Sequence, residues 1–344
     1  MTLVDVDVVP PPFFCPVPAA VHPAVGEIET VAVRWLDQAG LHRTDRERAR
    51  LLGTNSAEFY ARFAPYGVPA GILIAVLWVY WGFAFDDAEC DSGPYSADPP
   101  AFLELAGQVQ RALETTVPPD EPYAAALHDI GARMRGQATG TVFRRFVDAH
   151  RHWLYCVAWQ IGNRAAGRMP TLQEYLTLRI GSAGGPPTIE LLEVANGIEV
   201  PPREMDSRAV RALTEMTYLI ASLDNDLHSY RKELAENETS QNIISVLHHH
   251  DGLGLAAALD AAVSIRDRVM IRFLELRDRV RATASEELRT YLDGLGHVIR
   301  GNIDWAAGVP RYLPGGPPRI EITGEPYDTN PDPLPYPAVS WWWD

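Results

Sequence analysis

The chain has few cysteines and few basic residues for its length. Only three cysteines, Cys15, Cys90 and Cys156, occur among 344 residues, and their wide spacing excludes a disulfide framework and a Cys-x-x-Cys metal site. Thirty lysines and arginines stand against 45 aspartates and glutamates, which gives a net charge of −15. This balance excludes a nucleic-acid binder and a polybasic membrane contact. By the same reasoning it argues against a strongly anionic ligand.

The sequence also lacks a secretory start and a long apolar run. Its first residues, MTLVDVDVVPPPFF, carry acids and prolines instead of a basic start followed by a continuous apolar segment. The longest apolar stretch, Gly71–Phe85, is shorter than the roughly 20 residues that a membrane-spanning helix needs. We therefore expect a cytoplasmic protein without a membrane span, whose cysteines are buried thiols.

Strand-like alternation is almost absent, and no internal repeat is found. Apolar residues instead recur at spacings of three and four, the helical period. The predicted helices are Glu27–Gln38, Asp45–Leu52, Ala57–Phe63, Gly71–Phe85, Pro99–Leu113, Pro122–Arg135, Val142–Ile161, Leu172–Leu178, Ser207–Leu234, Ser240–His248, Leu253–Arg281 and Ser285–Trp305.

This pattern predicts an all-α fold with one helical domain over residues 25–312, built around an apolar interior. A proline-rich extended segment, 1–24, precedes the domain, and an irregular tail, 313–344, follows it. The tail ends in three consecutive tryptophans, Trp341 to Trp343. A row of exposed aromatic rings is costly, so we expect a docking segment or a truncated lid there.

A cluster of acids ends the apolar run. Asp86, Asp87, Glu89 and Asp91 follow Phe85, at a helix end where the helix dipole favours cations. At about 100° per residue, Asp87 and Asp91 share a helix face and Asp86 lies to one side, so two or three carboxylates can converge on a hard cation. A solvated loop entry would show the same composition, and the cluster alone leaves both interpretations open.

A second polar set lies on a long predicted helix. Asn225, Ser229 and Glu233 are spaced at i, i+4 and i+8, so they share one helix face. An amide oxygen, a hydroxyl and a carboxylate form an all-oxygen donor set, which favours Mg²⁺ or Mn²⁺ over zinc or copper. The polar face of an ordinary amphipathic helix would also explain them.

These residues resemble the motifs of the bacterial class I terpene synthases, and within that family the selinadiene synthases most closely. The resemblance covers nearly the whole chain. It consists of a DDxxxD motif (Asp86, Asp87, Asp91), an NDxxSxxKE motif (Asn225, Asp226, Ser229, Lys232, Glu233), an Arg-Tyr pair (Arg311, Tyr312) and Arg179, at the position of the family's diphosphate-sensing arginine.

The resemblance implies a helical bundle that binds three Mg²⁺ ions and a linear prenyl diphosphate at the mouth of an apolar pocket, and it allows a homodimer. Asp86 would be the main carboxylate ligand of the first motif. Asp87 and Asp91 would support it as ligands or bind the arginines of the diphosphate site. The second motif would hold another Mg²⁺ through Asn225, Ser229 and Glu233, and the diphosphate would be bound by Arg179, Lys232, Arg311 and Tyr312.

Residues 179–187 interrupt the helical pattern with three glycines and two prolines, which predicts a helix break. An ordinary loop would explain it equally well. The resemblance implies an induced-fit trigger, in which Arg179 senses the diphosphate and acts through a linker, Ser182, on an effector, Ala183, whose backbone carbonyl faces the substrate. Many relatives have aspartate as linker and glycine as effector, so Ser182 and Ala183 depart from the family pattern.

Ionisation of a prenyl diphosphate leaves an allylic carbocation that water would quench, so the pocket must be dry. Aromatic faces attract cations without acting as nucleophiles. The predicted pocket aromatics are Phe59, Trp81, Phe83, Trp159 and Trp305, with core packing as the alternative for each. Small residues at Gly82 and at 183–185 give a slight preference for a C20 over a C15 substrate.

The sequence thus predicts a Mg²⁺-dependent cyclase that acts on geranylgeranyl or farnesyl diphosphate and releases diphosphate and a cyclic hydrocarbon or alcohol. Two alternatives stay open. A prenyl-chain-elongating synthase would normally carry a second DDxxD motif, where this chain has NDxxSxxKE. A non-catalytic helical protein that binds cations or a partner is disfavoured by Arg179 and the Arg311–Tyr312 pair.

Overall fold

The computed structural model describes residues 9–91, 93–236, 241–312 and 320–344. Fifteen α-helices make up most of this part of the chain. They are α1 Val25–Ala39, α2 Asp45–Leu52, α3 Ser56–Phe63, α4 Pro69–Phe85, α5 Pro99–Glu114, α6 Pro122–Arg135, α7 Gly140–Ala165, α8 Leu172–Ser182, α9 Gly185–Asn196, α10 Pro202–Met205, α11 Arg208–Glu236, α12 Ile243–Asp251, α13 Leu255–Arg281, α14 Glu286–Gly308 and α15 Pro337–Ser340.

Side-chain caps set many of the helix starts. The residue before each of α2, α5, α6, α7 and α8 accepts a hydrogen bond from the backbone N–H three residues on, which satisfies one of the free donors of the first turn. The predicted bounds of α2 and α6 match the structure, and the all-α prediction is confirmed. Ser240, the first residue of one predicted helix, and residues 1–8 and 313–319 of the predicted terminal segments lie outside the described residues.

Helix α4 forms the centre of the bundle. Its side chains are buried on nearly all sides, and it packs so closely on α9 that a side chain at Gly71 would overlap the carbonyl oxygen of Val194. Pro69–Cys90 is the one stretch among the described residues that is long and apolar enough to cross a membrane. Because 67% of its most apolar window is buried inside the protein, we assign it as a core helix.

Helix α9 was not predicted, because its Gly-Pro-Pro start has the composition of a connector. Pro186 and Pro187 lie in the first turn, where a missing N–H breaks no helical hydrogen bond. Glu190, further along α9, accepts a hydrogen bond at Oε1 from the Tyr218 hydroxyl (3.2 Å), while its buried Oε2 has no partner. Burial, and then the nearby charge of Glu193, raise the pKa of Glu190 to about 7.

We expect Glu190→Gln to stabilise the protein at pH 8 but not at pH 5. In the unfolded chain Glu190 ionises near its ordinary pKa of 4.5, so the unfolded state loses the proton first and the free energy of unfolding falls as the pH rises from 4.5 to 7. Glutamine keeps the acceptor for Tyr218 and cannot ionise, which gives a gain on the order of 2 kcal/mol at pH 8. Urea denaturation at pH 8 and at pH 5 measures the gain in the free energy of unfolding. Glu104→Gln, at an exposed position, is the control. An equal gain at both pH values would contradict the assignment.

The terminal segments pack together on the helices. Phe13–Phe14 (β1) pairs in parallel with Ile322–Thr323 (β2), the two strands of the described chain. Behind them, the buried Arg266 of α13 forms an ion pair with Asp224 of α11 (2.8 Å) and donates to the carbonyl oxygen of Phe14. The C-terminal tryptophans also pack on the helices: Trp342 is 1% exposed, and its indole N–H donates to Glu215 of α11 (3.2 Å).

Candidate active site

All of the predicted metal and diphosphate residues line one cleft of about 350 Å³, hereafter the charged cleft. It is bounded by the C-terminal ends of α4 and α8, the C-terminal half of α11 and the turn after α14. Its lining residues are Arg50, Phe83, Asp86, Asp87, Asp91, Gln160, Arg164, Arg179, Ser182, Ala183, Asn225, Ser229, Lys232, Glu233, Gln241, Arg311 and Tyr312. A larger surface groove of about 630 Å³, beside α5 and α6, contains none of the predicted site residues.

The acidic motif differs from its predicted geometry. Beyond Phe85, α4 widens into a π-helical turn, Asp86–Cys90, in which the N–H of Asp91 donates to the carbonyl oxygen of Asp86 (2.8 Å). The i to i+5 hydrogen bond closes a wider turn than the i to i+4 bond of an α-helix. The assumption of an ordinary α-helical turn, at about 100° per residue, therefore does not hold here, and Asp86, Asp87 and Asp91 all line the charged cleft.

Asp87 and Asp86 have different electrostatic surroundings. Burial alone would raise the pKa of Asp87, but Arg311 donates to both of its oxygens (2.8 and 2.7 Å) and holds that pKa below its usual value. Burial, and then the charges of Asp91 and Asp87, raise the pKa of Asp86 well above its usual value. Of the two roles predicted for Asp87, supporting ligand or partner of an arginine, the structure shows the contact with an arginine. Among the described residues Asp86 has no such partner close by, so its ionised form requires a cation.

The second motif lies across the cleft on α11. The Ser229 hydroxyl donates to one oxygen of Glu233, and the side-chain amide of Asn242 donates to the other (3.0 Å). Burial and the charge of Asp226 nevertheless raise the pKa of Glu233 to about 7. The side-chain amide of Asn225 donates to the hydroxyl of Tyr312 (2.6 Å).

Arg179, in the last turn of α8, is directed at the second motif. Its Nη2 donates to Asn225 Oδ1 (2.9 Å) and to Asp226 Oδ1 (2.6 Å), while its buried Nε has no partner. Asp226 also accepts hydrogen bonds at its other oxygen from the Tyr175 hydroxyl and from the backbone N–H of Ile243. The sequence places Asp226 in the motif but predicts no role for it at the site. In the structure its carboxylate orients Arg179.

The predicted helix break is confirmed between α8 and α9. Helix α8 ends at Ser182, and Gly184 has a φ of 76°, a left-handed conformation that favours glycine. The Ser182 hydroxyl is buried without a hydrogen-bond partner. Ala183 faces both the charged cleft and the cavities below it.

Two small adjacent cavities, about 80 and 90 Å³, lie below the charged cleft and are hereafter the apolar pocket. Phe59, Phe83 and Trp305 line it as a mutual cluster, with ring centroids 4.7 to 6.3 Å apart. Trp78 and Trp153, which were not among the predicted pocket residues, also line it.

Two of the predicted pocket aromatics do not line these cavities. Trp81 is fully buried on another side of α4, where it stacks on Phe85 and donates to the carbonyl oxygen of Tyr123 (2.7 Å). Trp159 is half-buried and lines neither the cleft nor the pocket, although its neighbour Gln160 lines the cleft. Both predictions relied on proximity in sequence, which does not specify the direction in which a helical side chain points.

Arg50, Arg164 and Gln241 line the cleft without having been predicted. Arg164 of α7 donates to the carbonyl oxygens of Cys90 and Ser96 (2.8 Å each), and so supplies the positive charge that the acidic helix end requires. Both amide atoms of Gln241 are buried without a partner. No spacing or motif in the sequence distinguishes these three residues from others of their type.

The donor set is suited to a hard cation that is bound by protein oxygens and by an anion together. Within the described ranges, no three histidine, cysteine, aspartate or glutamate residues are placed to hold a metal ion by themselves. Carboxylate, amide and hydroxyl oxygens line the two sides of the cleft, and Mg²⁺ characteristically combines one or two carboxylates with phosphate oxygens and water. Five basic side chains in the same cleft are suited to such an anion.

Comparison with known proteins gives concordant results. The family model described as "Terpene synthase family 2, C-terminal metal binding" matches residues 77–272. Spiroviolene synthase of Streptomyces violens is 47% identical over 100% of this chain and 98% of its own length. Tsukubadiene synthase of Streptomyces tsukubensis is 38% identical over 97% of this chain and 98% of its own. A likeness to selinadiene synthases in particular is not shown by these relatives.

Solved structures of terpene synthases have the same fold as this chain. The crystal structure of the SVS_A2 protein, obtained by ancestral sequence reconstruction, is 49% identical and superposes with a TM-score of 0.90 over 97% of this chain and 98% of its own. α-Eudesmol synthase, at 23% identity and a TM-score of 0.77 over 86% of this chain and 98% of its own, shares the fold.

Proposed function

The chain belongs to the bacterial class I terpene synthases, lyases that cyclise prenyl diphosphates, and we propose that it does so with Mg²⁺ on geranylgeranyl or farnesyl diphosphate. One observation carries the proposal. The charged cleft opens directly onto the apolar pocket, and Phe83, Asp86, Ala183, Asn225 and Tyr312 belong to both. A diphosphate group held in the cleft therefore places its prenyl chain against aromatic rings.

In this proposal Asp86 and Asp91 hold Mg²⁺ on one side of the cleft, and Asn225, Ser229 and Glu233 hold it on the other. Three ions are what the resemblance implies. Bound Mg²⁺ supplies Lewis-acid stabilisation of the diphosphate charge. Arg179, Lys232, Arg311 and Tyr312 bind the diphosphate oxygens, with Asp87 and Asp226 orienting Arg311 and Arg179.

The pocket side chains protect the carbocation that forms when the carbon–oxygen bond to diphosphate breaks. Aromatic faces attract the positive charge, and the closely packed walls exclude water. Ser182 and Ala183, between the sensor Arg179 and the pocket, would transmit diphosphate binding to the substrate. The small lining residues Gly82, Ala183 and Gly184 favour the C20 substrate over the C15 one.

Incubation with geranyl, farnesyl, geranylgeranyl and geranylfarnesyl diphosphate, with and without Mg²⁺, tests the proposal. Gas chromatography–mass spectrometry should show one cyclic product family from geranylgeranyl diphosphate, and none when EDTA replaces the metal. Chain-lengthened diphosphates, formed when isopentenyl diphosphate is added, would instead indicate the elongating class, which the comparisons do not favour. Cyclisation in the presence of EDTA would contradict the metal assignment.

Two further assignments belong to the same proposal. A cytoplasmic location is supported by the three cysteines, which are buried and free of disulfides, as expected in a reducing compartment. A homodimer stays a prediction of the resemblance, and no surface is assigned to it.

We expect Trp305→Phe to change the product mixture and to lower kcat about 10-fold, because the larger indole face stabilises a desolvated cation by roughly 1–2 kcal/mol more. The matched control is Trp81→Phe. It alters a tryptophan that lies outside the pocket, so its product mixture should stay that of the wild type. The reverse pattern, with products altered by Trp81→Phe alone, would show that the pocket is wrongly placed.

A further inference from the structure

Helix α2 brings an arginine to the mouth of the charged cleft. Most of this short helix is exposed, and Leu51 is its one buried residue. Arg50, next to it, lines the cleft, and its Nε lies 2.9 Å from Asp87 Oδ2. The matched family model begins at residue 77, so Arg50 lies outside it.

Asp87 thereby joins two segments that are far apart in sequence. The same carboxylate binds Arg311 through both oxygens and Arg50 through one of them. Two guanidinium groups on one carboxylate leave this group of three side chains with a net positive charge. Arg50 has further N–H donors besides Nε, and its ion pair with Asp87 is the one found for it among the described residues.

Exposure distinguishes the two arginines. The Arg311 side chain is 9% exposed and fixed beneath Asp87, whereas the Arg50 side chain is 52% exposed. A partly exposed ion pair contributes little to folding stability, so stability does not account for an arginine at this position. A multiply charged anion in the cleft would be a stronger partner for Arg50 than the single carboxylate that it shares with Arg311.

We propose that Arg50 is a further diphosphate-binding residue, and that its contact with the bound diphosphate holds α2 over the mouth of the cleft. The proposal rests on the function proposed above. Arg50 forms an ion pair with Asp87 in the free enzyme and donates to diphosphate oxygens once the substrate is bound. Helix α2 then keeps water from the allylic cation. Water that enters forms a carbon–oxygen bond with the cation and loses a proton, which gives a linear alcohol.

The first test measures binding of inorganic pyrophosphate with Mg²⁺ by calorimetry, using Arg50→Gln and the matched control Arg46→Gln. Arg46 is an exposed arginine one turn earlier on α2 and does not line the cleft. We expect the Kd to rise about 10-fold in Arg50→Gln and to stay unchanged in Arg46→Gln. Arg50→Lys, which keeps the charge but loses the planar donor set, should fall between them.

The second test separates binding from a structural role. Hydrogen exchange of residues 45–52 should slow in the wild type when pyrophosphate and Mg²⁺ are added, and should not slow in Arg50→Gln. Linear alcohols should form a larger share of the products of that variant. Wild-type binding, exchange and products in Arg50→Gln would overturn the inference, provided the wild type cyclises its substrate. A wild type that makes no cyclic product would instead refute the proposed function.

Discussion

Replacing Glu233 or Asn225 with alanine should lower kcat/KM by on the order of 1,000-fold while the protein stays folded. Glu233 supplies the one carboxylate of the α11 donor set, and Asn225 supplies its amide oxygen and binds both Arg179 and Tyr312. Either change removes an oxygen of the proposed Mg²⁺ site, which would leave the diphosphate charge less stabilised. Steady-state kinetics over a range of Mg²⁺ concentrations measures the effect, and circular dichroism monitors the fold.

The chain offers a matched control in Glu275, an exposed carboxylate on α13. Glu275→Ala should retain wild-type kinetics. Excess Mg²⁺ should partly restore Glu233→Ala, because Asn225 and Ser229 remain as donors. Near-normal turnover in both Glu233→Ala and Asn225→Ala would refute the metal assignment on α11.

Arg179→Ala should lower kcat by about 100- to 1,000-fold and also destabilise the fold. The guanidinium binds Asn225 and Asp226 from the end of α8, so its loss removes a proposed diphosphate donor and leaves the buried Asp226 without its cation. Breaking a buried ion pair in this way costs about 3–5 kcal/mol. Single-turnover kinetics and thermal denaturation report the two effects separately.

The double variant Arg179→Ala/Asp226→Asn distinguishes catalysis from stability. Asparagine removes the unpaired charge, so the melting temperature should largely recover while turnover stays low. If activity recovers together with stability, Arg179 acts only by holding the fold.

Local sequence signals predicted most of the helices. Helices α2 and α6 begin and end where predicted, because a capping oxygen and the apolar period both act within a few residues. Helix α9 was not predicted, because glycine and proline are common both in the first turn of a helix and in loops. The buried Trp342 could not be predicted, because its partner Glu215 is 127 residues away in the chain.

For the acidic motif, too, the sequence identified the residues but not their geometry. An α-helical turn was assumed where the chain forms a π-helical one. The structure also pairs Asp87 with Arg50 and Arg311, which lie 37 and 224 residues away in sequence.

The sequence by itself determined the helical class, the residues of the two motifs and the family, because periodicity and motif spacing are properties of neighbouring residues. The tertiary structure decided which carboxylate is open to a cation, which aromatic rings line the pocket and which additional arginines reach the cleft. These depend on the rotation and approach of helices that are distant in the chain. The net charge of −15 argued against an anionic ligand, yet folding gathers five basic side chains in one cleft, where local charge governs binding.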